Sequence, residues 1–271
     1  MFNFLLKKNS KYNEKYGISS SDYRKLSSYP SGHYENLSVK FKGKDILFSN
    51  PFWFLHSLEE IFVDEVYLFN KSDEDVLILD CGANIGLSSI YFKSIFKNAK
   101  IIAFEPDQKI FGQLQKNINT FGIENDVQLI NAAAWINEDD LTFFSEGSLG
   151  GKILNENNNH PNNTIVKSIR LRNYIENKKI FFLKIDIEGA EYTVLNDIKN
   201  HLNNIENLFI EFHNTIDEEN TLSEILSWID KAGFKYYIKE AWNNLPRPFT
   251  QENHGGGFHM QLNIFCFRTH D

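Results

Sequence analysis

Cysteine is scarce: Cys81 and Cys266 are the only two in 271 residues. A disulfide framework is therefore excluded, and a reduced interior suffices. Positive charge is also in short supply. Lys and Arg number 28 against 36 Asp and Glu, a formal net charge of −8. That balance argues against a nucleic-acid backbone as main partner, since such binders carry a basic face. No apolar run approaches about 18 residues, so no membrane span is expected. Met1-Phe2-Asn3-Phe4-Leu5-Leu6-Lys7-Lys8 places its charges after its apolar patch, the wrong order for a secretory signal, and the chain reads as cytoplasmic. The sequence leaves homo-oligomerisation open.

Aromatic residues, by contrast, are abundant, with 24 Phe, and imply an aromatic core. Residues 1 to about 50 are polar and read as an N-terminal arm or lid with little core of its own. From Phe52 to Phe69 apolar residues recur at helical spacing (Phe54, Leu58, Ile61, Phe62, Val66, Phe69), which predicts one amphipathic helix or two short ones. Residues 1–70 form this helical arm, and 71–271 form the main domain.

In the main domain strands and helices alternate. Strands are expected at Val76–Asp80, Ile101–Glu105, Val127–Ala132, Phe181–Ile187 and Leu208–Phe212. Helices are expected at Gly86–Phe96, Asp107–Phe121, Ala190–Asn200 and Leu222–Ala232. That rhythm implies βαβ units and a mainly parallel sheet. Between Trp135 and Arg170 it breaks. Leu141–Phe144 and Ile165–Arg170 could be strands, on either side of a Gly-rich then Asn-rich loop. Phe234–Lys239 and Leu262–Phe267 look like a closing antiparallel pair, with His254 and His259 in a Gly-rich loop between them.

Three segments carry chemistry. The first is Leu77-Ile78-Leu79-Asp80-Cys81-Gly82-Ala83-Asn84-Ile85-Gly86. A strand runs into a glycine turn that opens a helix, where backbone N–H groups can meet an anion. Cys81 reads as a small packing residue in that turn. The next strand ends in Phe104-Glu105-Pro106, and an acid there can accept both hydroxyls of a ribose. Dinucleotide sites carry G-x-G-x-x-G, whereas here Gly82 and Gly86 stand alone behind Asp80. A carboxylate is awkward beside a pyrophosphate and suits a cationic amino group, such as that of S-adenosylmethionine. A plain structural turn and a nicotinamide site remain open at this point.

The second segment is Phe181-Phe182-Leu183-Lys184-Ile185-Asp186-Ile187-Glu188-Gly189-Ala190-Glu191. Period-two alternation turns Lys184, Asp186 and Glu188 the same way at a strand's carboxyl end, where open α/β sheets bind ligands. Solvated strand-end charges are the bland alternative. The third is Ile210-Glu211-Phe212-His213, on a strand expected beside the second. Asp186, Glu211 and His213 could then converge on a divalent cation such as Fe, Mn or Mg. The alternative is a hydrogen-bonded structural histidine. Without a metal, His213 or Asp186 would serve as base and Lys184 would stabilise an alkoxide.

Together and in this order, Asp80-x-Gly82-x-Asn84-x-Gly86, Phe104-Glu105-Pro106 and Leu183-Lys184-Ile185-Asp186-x-Glu188-Gly189-Ala190-Glu191 resemble the FkbM-type methyltransferases. The resemblance covers roughly Phe52 to His213. It implies a class I methyltransferase fold with a seven-stranded, mostly parallel sheet. It also implies S-adenosylmethionine as donor and O-methylation of a sugar or polyketide hydroxyl. Asp80, Gly82, Asn84, Gly86, Glu105 and the Asn131–Ala132 turn would bracket the cofactor. Leu171 is followed by Arg172-Asn173 where the family often has Asp, so no role carries over to that loop. The expected acceptor is a sugar or nucleotide-sugar of a surface polysaccharide pathway. A nicotinamide-dependent oxidoreductase and a non-catalytic ligand-binding module are the competing readings.

Overall fold

The computed structural model describes residues 15–30, 32, 34–70, 75–144, 152–153, 163–217, 219–252 and 257–268. Much of the Gly-rich and Asn-rich loop, and His254, lie outside the described residues. So does the apolar patch at the start of the chain.

Helix α1 (Ser20–Ser27) starts at Ser19, whose side chain accepts from the Asp22 N–H. A hairpin follows, β1 (Leu37–Phe41) and β2 (Lys44–Phe48). Neither element stands out in the sequence. Helix α2 (Pro51–Leu58) begins with Asn50 as cap and Pro51 at its first position, where a missing N–H costs nothing. The periodic stretch after it does not continue as α-helix. It widens into one π-helical turn, Glu59–Val63. Such turns recur at functional sites.

The alternating part then unfolds as β3 (Leu77–Cys81), α3 (Leu87–Ile95), β4 (Lys100–Phe104), α4 (Gln108–Phe121) and β5 (Val127–Ile130). Asp107 caps α4 by accepting from the Lys109 and Ile110 N–H groups, and Gly122 ends it with φ 70. The rhythm breaks, as expected, into β6 (Ala133–Trp135), β7 (Asp140–Phe144), β8 (Lys152–Ile153) and β9 (Asn163–Arg170). These four pair in the order β6-β9-β7-β8, a small sheet beside the main one. The chain closes with β10 (Ile180–Ile185), α5 (Glu191–Ile198), β11 (Ile205–Asn214), α6 (Leu222–Lys231), β12 (Lys235–Trp242) and β13 (Met260–Phe267).

The main sheet has seven strands in the order β12-β13-β11-β10-β3-β4-β5. The pairs from β11 through β5 are parallel, and β13 runs antiparallel to both its neighbours. The chain thus winds outward from β3 in both directions, so the carboxyl ends of β3 and β10 meet at the switch point. Open α/β sheets bind ligands there. Register sets Lys184 opposite Asp80 across that boundary.

Among the described residues the N-terminal segment has no separate core. Phe41, Ile46 and Phe48 of the hairpin, and Leu26 of α1, belong to the same buried cluster as Ile78 and Ile101 of the sheet. A second cluster on the main sheet gathers Leu79, Leu183, Ile210 and Ile264 with α5 and α6. No described helix is long and apolar enough to cross a membrane.

Candidate active site

The turn after β3 is shaped by close approach. Gly82 has φ 81, and a Cβ there would sit 1.9 Å from the carbonyl oxygen of Asp186. Only glycine lets the ends of β3 and β10 come this near. The turn's amides are consumed internally. Gly82 and Ala83 donate to the Phe104 carbonyl, and Gly86 donates to that of Ala83. Asn84 donates to Glu105 Oε2 and Ile85 to Asn84 Oδ1. The N–H groups of the turn itself are therefore already spoken for.

Asp80 also differs from its expected place. Rather than facing a ligand, it is wholly buried, and its Oδ2 accepts from the hydroxyls of Ser88 (2.6 Å) and Ser89 (3.0 Å). Its Oδ1 has no hydrogen-bond partner and lies 3.8 Å from Lys184 Nζ. Lys184 donates to the Gly82 carbonyl and to Asp186 Oδ2, each at 3.0 Å. Burial pulls its pKa down, but Asp186 and Asp80 outweigh burial and hold it above its ordinary value. Lys184 is thus a fixed cation that ties the ends of β3 and β10 together.

At the end of β4, Glu105 is buried. Each carboxylate oxygen accepts one backbone N–H: Oε2 from Asn84 (3.0 Å) and Oε1 from Asp107 (2.9 Å). Burial pushes its pKa up to about 8 against those two bonds. A carboxylate accepts about two bonds per oxygen, so both oxygens retain capacity for a donor. Asn131 donates to the carbonyls of Glu105 and Pro106, fixing the β4 and β5 ends as one rim, with Ala132 buried beside it.

The expected coplanar trio on β10 is split. The strand stops at Ile185, and Glu188 falls in the following turn with φ 55. Lys184 and Asp186 still meet, but Glu188 turns toward β11, where its Oε2 lies 3.6 Å from His213 Nε2. His213 is enclosed by three acids. Nε2 is 3.5 Å from Glu211 Oε1, and Nδ1 is 3.1 Å from Glu191 Oε1. Burial lowers its pKa, yet Glu191 and Glu188 raise it well above the ordinary value. Asp186, Glu211 and His213 do converge: one ligand atom from each lies within 4.8 Å of the others. His259 is not one of this trio, and its Nδ1 accepts from the Ile216 N–H at 3.4 Å.

A cavity of about 620 Å³ opens on this switch point. Gly82, Asn84, Lys184, Asp186 and Glu211 line it, whereas Asp80, Gly86, Glu105, Asn131, Ala132 and His213 do not. Glu191 closes the Lys184-to-Glu191 motif, but its spacing assigns it no role. Nearly fully buried, it accepts from the N–H groups of Ile187 (3.2 Å) and Gly189 (3.1 Å) and also holds His213. Besides that motif, its sequence signal is an acid in the first turn of a helix. Glu60, on the π-helical turn, also lines the cavity. Asn263 donates to it at 3.0 Å, while burial, Glu211 and Asp186 push its pKa up to about 7.

A sheet of this order, with a glycine turn after its first central strand and an acid closing the next, defines the class I methyltransferases. Residues 80–236, more than half the chain, match the family described as Methyltransferase FkbM domain. The chain belongs to that family and is a methyltransferase. "Methyltransferase 1" of Beauveria bassiana is 25% identical over 212 residues, spanning 69% of this chain and 82% of its own. Methyltransferase sdnD of Sordaria araneosa is 42% identical over 60 residues, 22% of this chain and 23% of its own. A solved FkbM methyltransferase from Methylobacillus flagellatus aligns with a TM-score of 0.48 and 16% identity. It covers 80% of this chain, which spans about half (52%) of that structure's length.

Proposed function

We propose that this chain transfers a methyl group from S-adenosylmethionine to a hydroxyl of a sugar or nucleotide-sugar, in the building of a surface polysaccharide. The observation that carries the reading is the convergence of Asp186, Glu211 and His213 beside the Gly82 turn. The donor fits the residues present. Glu105 would hold the ribose hydroxyls, and the cavity-lining turn Gly82–Asn84 with Ser88 would hold the methionine part, with Asn131 and Ala132 at the rim. S-adenosylmethionine would supply an electrophilic methyl on a sulfonium whose leaving group departs neutral.

The burden on the protein is to take a proton from a weakly acidic hydroxyl. Two carboxylates and an imidazole suit a divalent cation such as Mg, Mn or Fe(II). Bound there, it would lower the pKa of a hydroxyl near it. His213 is prepared for a ligand's part, because Glu191 holds Nδ1 and leaves Nε2 toward Glu211. In the metal-free version His213 is a poor base, since its surrounding acids keep it protonated. Asp186 would then receive the proton, and Lys184, 3.0 Å away, would offset the charge that develops.

Calorimetric titration with S-adenosylhomocysteine and with NAD tests the donor. Binding of the first and not the second is expected, and the reverse would replace a methyltransferase by an oxidoreductase. Methyl transfer onto hydroxyl acceptors, assayed after exhaustive chelation and again with Mg, Mn or Fe(II) restored, tests the metal. Full activity in the metal-free protein would leave Asp186 as the base.

A further inference from the structure

Part of the cavity wall is built of rings that proton transfer does not use. Helix α2 contributes Phe52, Trp53 and His56, and the end of β12 contributes Trp242. They form a box. The ring centre of Trp242 lies 5.4 Å from His56, 5.7 Å from Trp53 and 6.1 Å from Phe52, tilted by 61°, 61° and 83°. Phe52 and Trp53 meet edge to face at 4.9 Å. The β12–β13 register slips between Glu240 and Trp242. Adjacent residues of a regular strand face opposite ways, yet Ala241 and Trp242 both line the cavity. The bulge re-aims the indole.

These rings are not spent on the core. Phe52 remains 53% exposed and Trp242 37%, although both belong to apolar types that packing would normally cover. Among the neutral residues that make up most of the remaining lining stand four acids, Glu60, Asp186, Glu188 and Glu211. Among the described residues Lys184 is the one Lys or Arg in that lining, and it is already bonded to Asp186 and the Gly82 carbonyl. Among the described lining residues a phosphate meets four acids and no uncommitted ammonium or guanidinium, so it finds no cationic cradle. A ring with apolar C–H faces and hydroxyls on its edge suits both walls. Its faces cover the aromatic rings, and its O–H groups donate to the acids.

We propose that Phe52, Trp53, His56 and Trp242 form the acceptor subsite, and that it selects an uncharged polyhydroxylated ring over any phosphorylated or nucleotide-linked form of that ring. This rests on the reading that the cavity holds the acceptor beside the methyl donor. The bulge and the α2 start are the devices that set this specificity. They come from opposite ends of the chain and meet only in the fold.

The test is ligand-observed NMR on the full chain, with and without S-adenosylhomocysteine. The probes are methyl glycosides of common hexoses, the matching hexose 1-phosphates, UDP- and GDP-hexoses, and amino-hexose glycosides. At least one neutral glycoside is expected to bind, and more tightly than its charged counterparts. Trp242→Ala should weaken it by about tenfold or more. Phe52→Ala, at an exposed position, should weaken it less, and Trp242→Phe should restore part of the loss. Thermal melts of the variants confirm folding. Tighter binding of a phosphorylated, nucleotide-linked or amino form would overturn the proposal. So would a panel in which no neutral glycoside binds, or glycoside affinity that ignores both aromatic variants. Failure of S-adenosylhomocysteine to bind sinks the donor assignment instead, and the neutral-glycoside arm without it still decides the subsite.

Discussion

Glu105 is a carboxyl held in a place that resists its charge. Burial favours the protonated form and outweighs the two backbone N–H groups and the more distant Lys184 that oppose it. Two hydroxyl donors from a ribose would add charge-assisted bonds, each worth roughly 1.5–3 kcal/mol. Glu105→Ala should therefore weaken S-adenosylhomocysteine binding by at least about tenfold, by calorimetry. Unchanged affinity would place the ribose elsewhere. Glu191 poses a different residue-scale question, because it serves a turn and an imidazole at once. Glu191→Ala strips buried partners from Ile187, Gly189 and His213 and should cost about 2–4 kcal/mol in denaturant unfolding. Glu191→Gln keeps an acceptor for the turn but removes the charge facing Nδ1. It should unfold at higher denaturant than the alanine variant, and its His213 ring nitrogens should shift in 15N NMR. Wild-type behaviour of both variants would deny Glu191 this positioning part.

Between elements, one side chain joins three. Asn117 of α4 is fully buried; its Nδ2 donates to the carbonyls of Leu47 and Ile85, each at 2.9 Å. Its Oδ1 accepts from the Leu47 N–H at 2.8 Å. It fastens the hairpin strand β2 to α4 and to the glycine turn of the cavity. Asparagine is a weak helix former, so its presence in mid-helix reflects this service and not propensity. Asn117→Ala leaves two carbonyls and an N–H of that junction without their partner. We expect a loss of about 2–4 kcal/mol, with faster amide exchange at Leu47 and Ile85. Exchange unchanged at both sites would show the junction to be held by apolar packing alone. Element-level surprises cluster at the same junction. The hairpin is short and sits in a polar stretch, although β1 alternates Leu37, Val39 and Phe41 with polar residues, and the π-helical turn breaks a spacing that reads as plain helix.

Over the whole molecule, buried acids couple folding to pH. Glu105 is raised to about 8 and Glu60 to about 7, both chiefly by burial. An acid with a raised folded pKa binds more protons folded than unfolded. Its contribution is complete below the ordinary value of 4.5 and is lost as pH rises through the folded one. His213 acts with the same sign, since its folded pKa is also raised. Ligand-free, chelated protein should therefore lose stability from about pH 5 to about pH 8, by on the order of a few kcal/mol. Glu105→Gln should flatten that slope in denaturant titrations at fixed ionic strength. A stability that rises across this range would contradict the burial of these acids. S-adenosylmethionine should bind better toward the upper end, where Glu105 ionises.

Local pattern sufficed for much of this. Apolar runs and the Gly82 turn depend on neighbours within a few residues, so β3, β4, β5, β10 and β11, the helices between them and their parallel winding were legible in sequence, while β6 and β8 of the small sheet were not. The expected meeting of Asp186, Glu211 and His213 followed from two strand ends and the winding rule alone. Burial, register and long-range pairing belong to the tertiary structure. It alone decided that Asp80 serves Ser88, Ser89 and Lys184, because burial depends on what lies above a strand end. It decided that Glu188 leaves the face of Lys184 and Asp186, because the strand stops at Ile185. And it brought Trp53 and Trp242 together across most of the chain, since contacts between distant segments leave no periodic trace in either one.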